Sequence, residues 1–218
     1  MAELKGVIFD FDGTLADSNY VWEKVDKLFF ENHGMSVPED YLDHIGTLSF
    51  KEGAIFTKNE YGFEESIEEI MAQWNELAQK EYEEKVDLKP YVKEYIMYLK
   101  KKNIKMSVAT ATNPEYYKPV LEKNGLSSCF EFIVDGSFDI RNKEFPDMYK
   151  LCADKMGLAY KECVVFEDNH KGLKSAKSLG MFTIAVDERN NQRYMQKIKE
   201  NSDMYIFGFN EMFNFEGL

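Results

Sequence analysis

Little in this 218-residue chain suits a cross-linked, membrane-embedded or nucleic-acid-binding protein. Cysteine is scarce: Cys129, Cys152 and Cys163 form no C-x-x-C pair and no zinc spacing with the three histidines. Their neighbours are apolar, so buried, reduced thiols are expected. No apolar stretch approaches the roughly 20 residues that span a bilayer. A cationic-then-apolar leader and an N-x-[ST] sequon are both lacking, and a cytoplasmic location is expected. Positive charge is in deficit, with 27 Lys+Arg against 39 Asp+Glu and a formal charge of −12. Nucleic acid and anionic membrane surfaces need clustered positive charge, so neither is an expected partner.

The chain does have enough for a core, 44% apolar and 15% aromatic residues. Its length suits one large domain, or one domain carrying a smaller insertion. Disulfides or structural metal are not needed at this size.

Short apolar runs alternate with longer helical patterns. Leu4 to Phe9 reads as a buried strand running into Asp10. Ile104, Met106 and Val108 alternate with Lys105 and Ser107 and reach Thr110. Phe130 to Val134 leads into Asp135-Gly136, Cys163 to Phe166 into Glu167-Asp168, and Phe182 to Val186 into Asp187. Helices are expected between them, from Pro90 to Lys102, Pro114 to Asn124, Pro146 to Met156 and Gly172 to Leu179. The three prolines sit near helix starts, where a missing N–H costs little. Such alternation predicts an α/β fold, a mostly parallel sheet flanked by helices.

One stretch breaks the pattern. Residues 17–88 show helical periodicity only, over Tyr20 to Glu31, Ser49 to Tyr61 and Glu64 to Glu84, which predicts a helical domain inserted into a core of residues 1–16 and 89–218. This stretch holds 18 acidic and 6 basic residues, while the remainder holds 21 of each. The whole charge imbalance belongs to the insertion.

In an open parallel sheet, ligands bind beyond the carboxyl ends of the strands, near the point where strand order reverses. The groups expected there are Asp10, Asp12, Thr110, Glu167 and Asp168, with Lys143 reaching in from a loop. Converging carboxylates repel one another unless a cation is present. All-oxygen ligands with room for water suit Mg²⁺, and a hydroxyl with a lysine makes a phosphate cradle. In Asp10-Phe11-Asp12-Gly13-Thr14, alternate side chains leave the strand end on the same side, and Gly13 permits a sharp turn. Two neighbouring carboxylates can divide labour, one attacking phosphorus and the other moving protons. Taken singly, each residue has a plainer reading: a turn at Asp12-Gly13, a strand-end cap at Thr110, a solvated lysine at Lys143, a helix cap at Glu167-Asp168. Their order along the chain favours the catalytic reading.

At these residues the chain resembles the haloacid dehalogenase-like (HAD) superfamily. Asp10-Phe11-Asp12-Gly13-Thr14-Leu15 is similar to its first motif, Val108-Ala109-Thr110 to its second, Lys143 to its third, and Val164-Val165-Phe166-Glu167-Asp168 to its fourth. The resemblance covers essentially the whole chain. It is nearest to the beta-phosphoglucomutase-like branch through Lys143-Glu144-Phe145-Pro146-Asp147 and Phe166-Glu167-Asp168-Asn169. It implies a Rossmann-like parallel sheet with an inserted α-helical (C1-type) cap at residues 17–88. It implies a phosphatase in which Asp10 is the nucleophile, forming an aspartyl-phosphate, and Asp12 the acid and base. It further implies Mg²⁺ held by Asp10, the Asp12 backbone carbonyl and Asp168, with Glu167 a further ligand or a support. Thr110, Lys143 and backbone N–H groups near Phe11 and Ala111 would hold the phosphoryl group.

The departures are local. Glu144 follows Lys143 where the family usually has proline, and Asn169 stands where it often has serine. Dehalogenases and phosphonate-cleaving members lack the second aspartate, so Asp12 argues against both. In beta-phosphoglucomutase the cap hinge carries a histidine, which Trp22 replaces here, and the cap loop carries an arginine absent from Gly46-Thr47-Leu48-Ser49-Phe50-Lys51, where Lys51 is the nearest substitute. A mutase must hold a second phosphate, and so few basic residues weigh against it. A non-catalytic phospho-ligand sensor or interaction module would be signalled by loss of Asp10 or Asp12, and both are present. The expected protein is a Mg²⁺-dependent monomeric phosphohydrolase acting on a small phosphorylated metabolite. The acidic cap suggests a sugar or polyol phosphate with a neutral or cationic body.

Overall fold

A computed structural model of the protein describes residues 4–45 and 48–215. The Gly46-Thr47 pair of the expected cap loop lies outside the described residues. The chain divides into two compact units, one made of residues up to Asn19 and from Val86 onward, the other of Tyr20–Lys85.

The first unit is built on six strands: β1 (Gly6–Phe9), β2 (Lys105–Ala109), β3 (Phe132–Val134), β4 (Cys163–Glu167), β5 (Phe182–Val186) and β6 (Met204–Ile206). They form one sheet in the order β3-β2-β1-β4-β5-β6, and every pairing is parallel. The α/β fold with helices flanking a parallel sheet is therefore as expected. Both faces of a parallel sheet are covered, so its strands read as continuous apolar runs, and β1 and β4 are buried at every position. Side chains alternate between the two faces. Ile8 and Val165 pack with Met148, Tyr149, Cys152 and Met156 of α7 (Asp147–Met156). Phe9 and Phe166 stack at 5.2 Å on the other face, where Phe166 meets Phe209 at 5.3 Å and Tyr95 at 5.8 Å. Tyr95 lies on α5 (Val92–Lys101), whose buried residues Val92, Tyr95, Ile96 and Leu99 form the apolar stripe read from the sequence. The remaining helices of this unit are α6 (Pro114–Lys123), α8 (His170–Ser178) and α9 (Met195–Asn201). All three cysteines are buried and unbridged.

The second unit contains α1 (Val21–Asn32), α2 (Tyr41–Ile45), α3 (Phe50–Tyr61) and α4 (Ile67–Glu84). Its core is aromatic: Phe29 lies 5.0 Å from Phe63 and 5.8 Å from Trp74, and Phe30 lies 4.9 Å from Tyr41. Ser49 with Glu52 and Ser66 with Glu69 form capping boxes that start α3 and α4. The helix signals at Ser49 and near Glu64 start at these caps. The division into units falls three residues inside the expected domain limits at each end. Backbone bonding explains the difference. The Asp17 N–H donates to Asp87 O at 3.0 Å, and Ala16 bridges to Leu88, so both connecting strands stay tied to the first unit.

Candidate active site

Strand order reverses at β1, which is flanked by β2 on one side and β4 on the other. The first residues past these strands must leave the sheet, and here they are polar. Asp10 follows β1, its N–H donating to Phe166 O at 2.9 Å. Thr110 follows β2, its N–H donating to Val134 O at 2.9 Å. Glu167 ends β4 and Asp168 follows it. These side chains line one pocket of about 470 Å³ together with Asp12, Ala111 and Lys143. Every core residue expected at the site is thus brought to one edge of the sheet.

Asp10, Glu167 and Asp168 are all buried, and one carboxylate oxygen from each lies within 4.8 Å of the others. Lys143, from the loop before α7, donates to Asp10 Oδ1 and, at 2.9 Å, to Glu167 Oε2. One ammonium thus serves two of the three carboxyl groups. Burial, then the Glu167 charge, pushes Asp10 up to about 7 although Lys143 pulls it down. Burial, followed by Asp10 and Glu167, raises Asp168 well above the ordinary range. Burial opposes the charge on Lys143, but Asp10 and Glu167 outweigh it and raise the lysine above its usual value. Asp10 Oδ2 is buried without a hydrogen-bond partner. A buried carboxylate oxygen without a hydrogen-bond partner, among carboxyl groups raised by burial, fits a cation-binding site. The oxygen-only donor set fits Mg²⁺.

Glu167 is otherwise saturated. Its Oε2 also accepts from Tyr149 Oη at 2.7 Å, and its Oε1 accepts from the Asn169 N–H at 3.1 Å. Asp12 sits differently from Asp10: its Oδ1 accepts from Ser18 Oγ at 2.6 Å and its Oδ2 from Thr112 Oγ1. Both oxygens are held by hydroxyls that can themselves accept, which suits a group that takes up and releases a proton. Thr110 Oγ1 accepts from the Thr112 N–H at 3.1 Å, which shapes the turn that carries Ala111.

Two glycines make the site possible. Gly13 has φ +77°, and a Cβ there would stand 2.4 Å from Asp168 Oδ2 and 2.2 Å from Asn19 Nδ2. At Gly172, in α8, a Cβ would stand 2.6 Å from Tyr149 Oη and 2.7 Å from Glu167 Cδ.

Sequence reasoning missed Ser18, Asn19, Thr112, Tyr149 and Asn191. Asn19 and Asn191 both donate to Asp168 Oδ2, at 3.0 and 2.9 Å. A strand-end pattern marks the first polar residues after a strand, and these partners come from elsewhere in the chain. Only Thr112, two residues past Thr110, carried such a signal. Lys51 and Trp22 belong to the helical unit, where Lys51 is exposed and Trp22 meets the Phe50 ring edge-on at 5.5 Å.

Residues 7–186 match the family described as haloacid dehalogenase-like hydrolase, and the chain belongs to it. Curated relatives within that family are named as phosphatases, and the chain is a phosphatase. The phosphorylated carbohydrates phosphatase of Thermotoga maritima is 27% identical over 178 residues, spanning 82% of each chain. Hexitol phosphatase A of Escherichia coli is 30% identical over 185 residues, spanning 84% of this chain and 83% of its own. Among solved structures, CbbY from Rhodobacter sphaeroides in complex with phosphate superposes with a TM-score of 0.77 at 23% identity, covering 99% of each chain. Among the described residues, no helix is long and apolar enough to cross a membrane.

Proposed function

We propose that the protein hydrolyses small sugar or polyol phosphates through a phosphorylated Asp10, with Mg²⁺ held at the strand ends. The observation that supports this most directly is the buried, unpartnered Asp10 Oδ2 beside Glu167, Asp168 and Lys143. Asp10, Asp168 and the Asp12 backbone carbonyl would hold the ion, and Glu167 fixes Lys143. Bound there, Mg²⁺ supplies positive charge for the transferring phosphoryl oxygens and keeps Asp10 ionised. Phosphoryl transfer depends mainly on positioning and charge stabilisation.

The residue roles follow. A carboxylate oxygen of Asp10 bonds to phosphorus as the bond to the leaving oxygen breaks. Asp12, in its protonated form, gives that oxygen its proton and becomes a carboxylate. The same carboxylate then removes a proton from a water that attacks phosphorus, which releases inorganic phosphate and returns Asp10. Lys143, Thr110 and the Ala111 N–H bind the phosphoryl oxygens during both transfers. The Tyr20–Lys85 unit acts as the cap that admits substrate and excludes bulk water during transfer. Lys51 and Trp22 are its candidate specificity residues.

The curated relatives named for phosphorylated carbohydrates and hexitols favour a polyhydroxylated substrate, as does the excess of acidic residues in the helical unit. A panel of phosphorylated metabolites with Mg²⁺ tests this reading. Sugar or polyol monophosphates should turn over best, and Asp10→Asn should abolish both turnover and phosphate labelling of the protein. Preferred turnover of bisphosphates or nucleoside monophosphates would refute the substrate class. Interconversion of sugar phosphates dependent on a bisphosphate activator would indicate a mutase. Absence of any turnover or labelling with Mg²⁺ would leave a phospho-ligand sensor.

A further inference from the structure

Asp168 differs from its two acidic neighbours in what holds it. Asp10 and Glu167 share the Lys143 ammonium. Asp168, 6% exposed, is gripped by two neutral amides. Asn191 Nδ2 donates to Asp168 Oδ2 at 2.9 Å and to the Asp168 backbone carbonyl at 3.1 Å. Asn19 Nδ2 donates to the same Oδ2 at 3.0 Å. The two amides approach from opposite ends of the chain. Asn19 leaves the turn that follows Asp12, and Asn191 lies in the 3₁₀ segment Arg189–Tyr194 after β5. Gly13 leaves the space in which Asn19 reaches Asp168.

We propose that Asn191 and Asn19 are positioning residues for the divalent cation, acting through Asp168. This rests on the metal-dependent reading above and adds residues to it that neither the motifs nor the relatives assign. The physical reason lies in the charge of the donors. A lysine orients a carboxylate by neutralising it, and it then competes with a cation for the same charge. An amide N–H orients the carboxylate and leaves its full negative charge in place. Two donors on one oxygen, with a third bond to the backbone of the same residue, fix the carboxylate plane before the ion arrives. The division is then simple: Lys143 pairs with Asp10 and Glu167, and Asp168 is aimed by two uncharged donors. Hydrogen-bond partners behind metal ligands typically govern metal affinity by 10–100-fold.

The test is direct Mn²⁺ binding to the full-length protein, by calorimetry and by the electron paramagnetic resonance of free Mn²⁺, for wild type, Asn191→Ala, Asn19→Ala and the double variant. Each single variant should weaken Mn²⁺ binding by roughly 10-fold or more. The double variant should lose less than the product of the two single losses, because both amides serve one oxygen. The Mg²⁺ concentration for half-maximal turnover should rise with the Mn²⁺ dissociation constant, while turnover at saturating Mg²⁺ falls less. A merely structural role would instead lower thermal stability and leave the dissociation constant of the folded fraction unchanged. Unaltered Mn²⁺ affinity in folded Asn191→Ala and Asn19→Ala overturns the proposal. Should Asn191→Ala not fold, Asn191→Ser and Asn19→Ala carry the same comparison. If wild type itself binds no Mn²⁺, the metal-dependent function fails and this inference goes with it, an outcome distinct from wild type and variants binding equally.

Discussion

Asp26 is the sharpest place to test the energetics of the helical unit. It is a carboxyl on α1, 8% exposed, in a core otherwise lined by aromatic rings. It accepts a long 3.2 Å bond from Tyr41 Oη, whose oxygen also pairs with Thr57 Oγ1 at 2.9 Å. Burial pushes Asp26 from 3.8 up to about 7, with Tyr41 opposing and the Glu23 charge adding to the rise. The sign follows from linkage. Below the unfolded value both states are protonated, and burial of the neutral acid is tolerated. As pH climbs from 3.8 towards 7, the unfolded chain has lost its proton and the folded chain keeps it, so stability falls with pH. Above that window both states are ionised, and the folded unit bears the full cost of a buried charge. A displacement of this size corresponds to at most about 4 kcal/mol, and relaxation around the site reduces it to roughly 2–4 kcal/mol. Asp26→Asn removes the titration and keeps an oxygen for Tyr41 Oη. The variant should match wild type near pH 4 and exceed it by about 2–4 kcal/mol at pH 8. Both tryptophans, Trp22 and Trp74, lie in this unit, so denaturation followed by tryptophan fluorescence reads it directly. The reasoning is refuted if the difference between variant and wild type is the same at both pH values, or if the variant is the weaker at pH 8.

Gly172→Ala should cost about 1–3 kcal/mol and most of the turnover, because the new methyl meets Tyr149 Oη and Glu167 Cδ inside 3 Å and both residues are buried. Thermal melts and kcat measure it, and a variant normal in both would contradict the packing. Lys143→Met removes the cation shared by Asp10 and Glu167. Asp10 should then titrate higher than about 7, and kcat should fall by roughly 100–1,000-fold; a loss within a few-fold would remove Lys143 from the transfer step. Ser66→Ala breaks the capping box with Glu69 at the start of α4. It should cost the helical unit about 1 kcal/mol by tryptophan fluorescence, and an unchanged midpoint would show that the cap contributes nothing there.

Much of the fold was legible because its causes are local. Val7-Ile8-Phe9 and Val164-Val165-Phe166 are buried on both faces of a parallel sheet, so they read as unbroken apolar runs. The helix α5 was visible as a stripe at Val92, Tyr95, Ile96 and Leu99. Tyr41–Ile45 and Met204–Ile206 were not read from the sequence, and a five-residue helix is too short to show a period. The helix expected from Pro90 begins at Val92, after Tyr91 takes a left-handed φ of 66° that no local pattern signals.

The site divides in the same way. A chain leaving the sheet must place its first polar residues at the edge, so the sequence by itself determined that Asp10, Thr110, Glu167 and Asp168 stand at strand ends. The sequence also located the acidic excess within residues 17–88. Only the tertiary structure decided the partners: Lys143 against Asp10 and Glu167, Tyr149 behind Glu167, and the hydroxyls of Ser18 and Thr112 on Asp12. Asn19 and Asn191 meet at one oxygen of Asp168 although they lie at opposite ends of the chain. Periodicity records which face of an element is buried. It carries no record of which distant donor will face a given carboxylate, because that depends on strand order and on the space that residues such as Gly13 and Gly172 leave open.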